Sequence, residues 1–283
     1  MQKLKKQKLY LLALLLPFLI LIVGFEIGPL VTMLKNSFYA DDGIKVTIEQ
    51  YVTIFKSKFY LQAIQNSVLI SFFSATTSII VAIGIAYSFT KFSKKAQNRL
   101  LMIANMTSHF EGIPLSFSYI ILLGNNGLFT LLFAKFGWDV LGKFNLYSWT
   151  GLILVYVYFQ IPMAIMLLYP SYQGIKQQWK EAAALLGASK RQFWLHIGLP
   201  VLLPSIAGIF SILFANSMGA YATAYALVGS NYNLLSLQIA SLVASDVALK
   251  PQLGSALGVL LASTMILAMW FNQRMMRRFR RDL

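Results

Sequence analysis

Few side chains in this sequence could carry out catalysis. The two histidines, His109 and His196, are far apart in the chain and show no H-E-x-x-H or comparable metal-ligand spacing. The absence of cysteine excludes disulfides, thiolate metal sites and a cysteine nucleophile together. No catalytic motif that combines a nucleophile with a base is recognisable in the sequence. We therefore expect no enzymatic activity, no metal site and no cofactor bound by this chain.

One segment is similar to the beginning of a phosphate-binding loop. Residues 137–143 spell G-x-x-x-x-G-K, but Phe144 follows where a magnesium-binding serine or threonine is needed. No strand is predicted before the segment. We interpret the match as chance, and expect any ATP and Mg²⁺ to be bound by a partner polypeptide.

The composition indicates a membrane protein. Hydrophobic residues make up 58% of the 283 residues and charged residues 12%, and the mean hydropathy is +0.65. Soluble domains have about 25% charged residues. Six apolar runs are long enough to cross a hydrocarbon core about 30 Å thick. They are Tyr10–Val31, Ser67–Thr90, Leu100–Leu123, Gly151–Tyr169, Val201–Val228 and Gly254–Phe271. The sequence thus predicts an all-α integral membrane protein with six transmembrane helices.

The basic residues predict the orientation of these helices. Four short stretches, 3–8, 91–99, 176–191 and 274–281, contain 17 of the 24 lysines and arginines. Because basic residues stay on the cytosolic side of short loops, we expect both termini in the cytosol of a bacterial cell. Topology and attraction to anionic lipids explain the net charge of +15, so no nucleic-acid partner is expected.

The loop between the fourth and fifth spans, about residues 170–200, has a pattern of its own. Its first part, Gln178–Leu186, places Trp179, Ala182, Ala183 and Leu186 at helical spacing. Gly187 follows, where glycine can form a left-handed helix cap. The pattern predicts a helix that ends at this glycine.

A second short helix is predicted directly after the glycine. Ser189 is a plausible N-cap for Lys190–Ile197, in which Phe193 and Ile197 form one apolar face. Pro200 ends this helix or begins the next span. On spacing alone, the two helices could equally dock onto another protein or lie on the inner leaflet of the membrane.

At this point the residues resemble a known family. Glu181, Ala182, Ala183, Gly187, Ile197, Leu199 and Pro200 occupy the seven fixed positions of E-A-A-x₃-G-x₉-I-x-L-P. This pattern resembles the signature of binding-protein-dependent ABC importer permeases. The resemblance implies a type I permease core at about 66–271 with a two-helix cytosolic coupling loop. It leaves residues 1–65 as a cytosolic tail, first transmembrane helix and external loop, and 272–283 as a basic cytosolic tail.

The resemblance also implies function and partners. The chain would be a permease subunit that pairs with a second permease, more often a different one than a copy of itself. Two ABC ATPase subunits would dock on the loop through the signature residues and Phe193, and an extracytoplasmic solute-binding protein would deliver the solute. The segment Phe117–Leu128 is similar to a segment found in the branch of these permeases that imports polyamines, ferric iron, thiamine or phosphonates. An autonomous secondary transporter or channel remains the alternative.

Polar residues inside the apolar runs are candidates for the solute path. Glu111 and His109 lie in the third run, and Asn216, Ser217 and Tyr221 in the fifth. Ionisable groups at membrane depth usually face a cavity, and a carboxylate there could attract a cationic solute. The other interpretation is that the third span begins near Ile113, which leaves Glu111 and His109 at an interface or in a glycine-proline break.

Overall fold

The computed structural model describes residues 14–138, 144–244 and 249–279. Within these ranges the regular structure is helical, and the β-type pairing recorded is one isolated bridge between Tyr39 and Val46. The lysines of stretch 3–8, the end of the G-x-x-x-x-G-K segment and the last four residues of the basic tail lie outside the described residues.

The described residues form thirteen helices. They are α1 (Leu14–Asn36), α2 (Glu49–Lys56), α3 (Lys58–Phe89), α4 (Lys94–Ser108), α5 (Ile113–Leu123), α6 (Leu128–Lys135), α7 (Trp149–Gln173), α8 (Gln177–Leu185), α9 (Lys190–Phe193), α10 (Leu199–Gly219), α11 (Tyr221–Val228), α12 (Leu235–Ala244) and α13 (Pro251–Phe279). A π-helical turn interrupts α1 at Val23–Ile27, and another joins α9 to α10 at Trp194–Gly198.

Six helical segments are long and apolar enough to cross a membrane, which confirms the predicted number. They are Leu14–Asn36, Lys58–Phe89, Ile113–Lys135, Trp149–Gln173, Lys190–Gly219 and Pro251–Arg274. The boundaries differ from those predicted, and the second helix begins nine residues earlier, at Lys58 instead of Ser67. The predicted third and fifth spans also each include a point where the backbone stops being helical inside an apolar run.

The predicted third span, Leu100–Leu123, is wrong as one helix. Helix α4 ends at Ser108, and α5 begins at Ile113. Gly112 between them has φ 82°, a left-handed conformation that glycine adopts without strain. Pro114 in the first turn of α5 cannot donate to a preceding carbonyl, which favours a new helix start. Glu111 therefore lies in a glycine-proline break.

The predicted fifth span, Val201–Val228, also needs correction at its C-terminal end. Helix α10 ends at Gly219, and Ala220 has φ −72° and ψ 62°, which is not helical. Helix α11 then begins at Tyr221. The apolar run thus contains a second break, which hydropathy alone does not reveal.

The N-terminal end of this span begins earlier than predicted. The short helix expected at Lys190–Ile197 is the first part of one continuous 30-residue helical segment, Lys190–Gly219. In the π-helical turn, the N–H of Leu199 bonds to the carbonyl of Trp194, five residues earlier. This wider turn lets the helix pass Pro200, which has no N–H and would crowd a regular α-turn.

The chain packs as two compact units. The first consists of the described parts of Met1–Leu61 and Gln238–Leu260. In it, Tyr51 donates its hydroxyl to Ser37 Oγ at 2.8 Å, and a methyl group on Gly258 would lie 2.7 Å from Met33 Sδ. Asp42 accepts the backbone N–H groups of Ile44 and Lys45, which lowers the pKa of its carboxyl.

The second unit, Gln62–Leu237 with the described part of Leu261–Leu283, contains the predicted site residues. Its core is centred on α7, with fully buried Leu152, Val155 and Phe159. Leu115 of α5 and Leu227 of α11 pack into the same cluster. The two short helices that follow the breaks are therefore fixed against the most buried span of this unit.

Candidate functional site

The bent segment, defined as Gln177–Gly198, turns sharply at Gly187. This residue has φ 78°, as predicted for a left-handed cap. Its N–H bonds to the carbonyl of Ala184 at 3.0 Å, and the N–H of Ala188 bonds to that of Ala183 at 2.9 Å. These two bonds form a Schellman motif, which ends α8 in a defined direction.

The helix after the bend is capped as the sequence predicts. Ser189 Oγ accepts the N–H of Gln192 at 3.3 Å, and Gln192 Oε1 accepts the N–H of Ser189 at 2.8 Å. This reciprocal pair is a capping box, which satisfies two N–H groups that a helix start leaves free. The bend is therefore held by local bonds on both sides of Gly187.

The bent segment exposes large apolar side chains at its tip. Leu185 is 91% exposed and Leu186 88% exposed. Glu181 and Ala182 are also exposed, whereas Ala183 is buried. Exposed leucines directly beside a rigid bend are typical of a docking surface for a partner.

Trp194 attaches the bent segment to the membrane helices of the same unit. Its ring centroid lies 5.1 Å from that of Tyr87 at the end of α3 and 6.1 Å from that of Tyr172 at the end of α7. Both pairs have edge-to-face geometry, which is favourable for aromatic rings. Phe193 is buried beside Trp194, at a centroid distance of 5.8 Å. Movement of the bent segment would therefore act directly on α3 and α7.

The last three signature residues lie where this segment enters the span. Ile197 is half-buried within the π-helical turn, and Leu199 and Pro200 begin α10. Gly198 lies between Ile197 and Leu199, at a position that the signature leaves open. It is buried and has no room for a side chain. A methyl group there would lie 2.3 Å from the Trp194 ring. The spacing of the signature residues did not assign a role to Gly198. The side chain that requires glycine at this position belongs to Trp194, four residues earlier.

A cavity of about 640 Å³ lies where the two helix breaks meet. Its walls come from both breaks, from the end of α10, and from one methionine each of α7 and α13. The lining residues are Glu111, Gly112, Met163, Ile212, Ala215, Asn216, Gly219, Ala220, Tyr221, Ala222, Thr223 and Met265. Volumes of this size are typical of small-molecule sites.

Hydrogen bonds join the two breaks. The N–H of Gly112 donates to Thr223 Oγ1 at 2.9 Å, and Ser116 Oγ donates to the carbonyl of Thr223 at 2.8 Å. Tyr156 donates its hydroxyl to the carbonyl of Ala220 at 3.2 Å. Irregular backbone at membrane depth is tolerated where it is buried in protein or lines a cavity, and these breaks satisfy both conditions.

The structure brings together three of the five residues predicted for the solute path. Glu111, Asn216 and Tyr221 line the cavity. Ser217 does not: it is buried behind the wall, where its hydroxyl contacts Ser74 Oγ at 3.0 Å and the amide of Gln160. His109 is exposed at the end of α4 and is not among the lining residues.

Glu111 is the one carboxylate in the described lining, and no lysine, arginine or histidine accompanies it there. Gly112 and Thr223 hold the cavity together, and neither was assigned to the site from the sequence. The glycine-proline break after Glu111 was one of the two interpretations of the third span, whereas nothing local marks Thr223. Among the described residues, no group of three or more histidine, cysteine or acidic side chains could hold a metal ion.

Comparison with known proteins adds a family match. Residues 67–281 match the model of the family described as "Binding-protein-dependent transport system inner membrane component". The match begins one residue after the predicted start of the permease core. It includes the whole bent segment and all described residues that line the cavity.

Several curated relatives are similar in sequence. The ferric transport system permease protein FbpB of Actinobacillus pleuropneumoniae is 26% identical over 275 residues, which cover 94% of this chain and 39% of the relative. The chain thus spans about two fifths of that relative's length. The spermidine/putrescine transport system permease protein PotC of Escherichia coli K12 is 24% identical over 257 residues, with 88% and 89% of the two chains covered.

Solved structures share the fold. A chain of a bacterial ABC transporter involved in import of the acidic polysaccharide alginate superposes with a TM-score of 0.78 at 19% identity, over 98% of each chain. A chain of the MetNI methionine ABC transporter, in inward-facing conformations, superposes with a TM-score of 0.59 at 16% identity. That superposition covers 77% of this chain and 95% of the other.

Proposed function

Because this chain belongs to the family of binding-protein-dependent transport system inner membrane components, we propose that it is a permease subunit of an ATP-driven importer of a small solute. The cavity at the two helix breaks forms its part of the solute path. The bent segment is the part of this chain on which cytosolic ATPase subunits act. The family is one of transport permeases and not of enzymes, which agrees with the lack of catalytic residues in the sequence.

One observation carries the proposal: a single helical segment joins the bend to the cavity. It begins at Lys190, three residues after Gly187, and ends at Gly219, which lines the cavity. Its 30 residues correspond to about 45 Å at 1.5 Å per residue. A displacement at the bend is therefore transmitted along one continuous helical segment to the cavity wall, and such displacements of packed helices are a known way to switch a path between two arrangements.

The remaining assignments complete the assembly. We place Glu181, Ala182 and the exposed leucines against ABC ATPase subunits, which bind the ATP and Mg²⁺, while the buried Ala183 holds the helix against this chain. A second permease, different from this chain, supplies the other half of the path, and an extracytoplasmic solute-binding protein delivers the solute. We place the chain in the bacterial plasma membrane with both termini in the cytosol, and the permease core at 66–271.

The test is reconstitution of the purified complex in vesicles. Uptake of the solute carried by the copurified binding protein is measured with and without ATP, for the complete complex and for this chain alone. We expect uptake by the complete complex with ATP, and none by the chain alone. Accumulation by the chain alone, driven by an ion gradient, would establish an autonomous secondary transporter and overturn the proposal.

A further inference from the structure

The cavity carries a charge pattern that bears on its ligand. Glu111 is exposed to the cavity, and it forms no ion pair within the residues that the structure describes. The rest of the described lining is uncharged, and much of it consists of alanine, glycine and methionine. The described side chains of this wall supply no positive charge that would neutralise Glu111.

From this pattern we propose that the cavity admits organic cations, with Glu111 as the counter-charge that selects them. The proposal rests on the function proposed above and names the class of solute. A cationic group would approach Glu111, while its apolar part would contact Met163 and Met265. The aromatic ring of Tyr221, which is stacked on Tyr225, also lines the cavity, and aromatic rings attract cations.

The same lining argues against other ligand classes. A bare divalent metal ion needs several oxygen or nitrogen ligands, and the described lining offers a single carboxylate and no histidine. An anionic solute would lack a basic partner and would meet Glu111 at close range. A cation with an apolar body satisfies the carboxylate and the apolar walls together.

The absence of native cysteine allows a direct test, because a single introduced thiol is the only one in the chain. Ala222 is exposed and lines the cavity, and its Cβ lies 3.8 Å from a methyl group built on Gly112, the neighbour of Glu111. In the assembled complex, Ala222→Cys is treated with a trimethylammonium or a sulfonate methanethiosulfonate. The rate of labelling by each reagent is followed through the increase in mass of this chain.

The measured quantity is the ratio of the two labelling rates, cation over anion. Asn98→Cys, exposed on α4 and not among the lining residues, gives the reference ratio. We expect the ratio at Ala222→Cys to exceed the reference roughly 5- to 50-fold, the size of one nearby charge acting on probes of opposite sign. Adding Glu111→Gln should return it to the reference, and Glu111→Asp should preserve it.

Two results would overturn the inference. One is a ratio that Glu111→Gln leaves unchanged, since the preference would then not come from this carboxylate. The other is a thiol at position 222 that reacts with neither reagent, since a cavity closed to these probes would not admit an organic cation. Neither result depends on ATP-driven uptake, so failure of this inference is distinguishable from failure of the proposed function.

Discussion

Gly112 donates its backbone N–H to Oγ1 of Thr223 across 2.9 Å, which joins two helix breaks that lie 111 residues apart in the chain. Thr223 is buried, and its carbonyl accepts the hydroxyl of Ser116 as well. One residue thus satisfies polar groups that the interruption between α4 and α5 would otherwise leave unpaired. The shape of the cavity depends on this junction.

Replacing Thr223 with valine tests the junction. Thr223→Val keeps the side-chain shape but removes the acceptor of the Gly112 N–H. A buried donor left without a partner costs about 1–3 kcal/mol, so we expect a lower thermal unfolding temperature of the complex and slower uptake. Thr223→Ser, which retains the hydroxyl, is the control. Equal stability and uptake for the two variants would show that the bond contributes nothing.

The bend at Gly187 is expected to be essential for transport. A side chain there would meet no atom within 4 Å, so the effect of a substitution comes from the backbone φ of 78° alone. Gly187→Val should cost about 1–2 kcal/mol in this conformation and abolish uptake, while membrane insertion remains normal. Uptake is measured in vesicles, and insertion by the amount of chain in the membrane fraction.

Asparagine provides the matched control at this position, because it tolerates the left-handed conformation better than valine. Gly187→Asn should retain most of the uptake. If Gly187→Val transported normally, the direction of the bend would be irrelevant. The proposal that movement at the bend is transmitted to the cavity would then have to be abandoned.

The close contact of Gly198 with Trp194 predicts a second sensitive glycine. In Gly198→Ala the new methyl group would lie 2.3 Å from the indole ring of Trp194, so the ring must shift, which disturbs its contact with Tyr87. We expect a loss of stability of about 1–3 kcal/mol, the usual cost of overpacking, and ATP hydrolysis that no longer drives uptake. Both activities are measured on the reconstituted complex.

Gly208→Ala is the control for this substitution. Gly208 lies in the same continuous helical segment, Lys190–Gly219, and an added methyl group would meet nothing within 4 Å. Alanine is the better helix former, so this variant should be as stable as the parent or slightly more stable. A comparable loss in both variants would mean that helix flexibility, rather than the position of Trp194, is responsible.

The exposed leucines of the bent segment should anchor the ATPase subunits. Leu185→Ser combined with Leu186→Ser removes two side chains that are about 90% exposed, so folding of this chain should not change. Interface anchors of this kind contribute more than about 1 kcal/mol each, and we expect at least roughly 10-fold weaker binding of the ATPases. Copurification of the subunits at several concentrations measures the affinity.

Ile44→Ser is the comparison for these leucines, because Ile44 is 80% exposed and lies outside the bent segment. It should leave the affinity unchanged. Undiminished copurification of the double serine variant would exclude the leucine tip as the docking surface.

The sequence by itself determined the number of membrane spans, the left-handed bend at Gly187 and the N-cap at Ser189. Each depends on local properties: the summed hydropathy of a run, the freedom of glycine at positive φ, and bonds between residues three or four apart. The signature residues around the bend could be found for the same reason.

The tertiary structure alone decided between the two interpretations of the third span, revealed the break of the fifth at Ala220, and decided which polar residues face the cavity. Breaking a helix inside a membrane leaves backbone groups unpaired, and the partner that satisfies them at Gly112 is Thr223, far away in the sequence. The same packing placed Glu111 in the cavity, turned Ser217 toward Gln160 and left His109 outside. These outcomes depend on contacts between distant helices, which no local pattern of residues specifies.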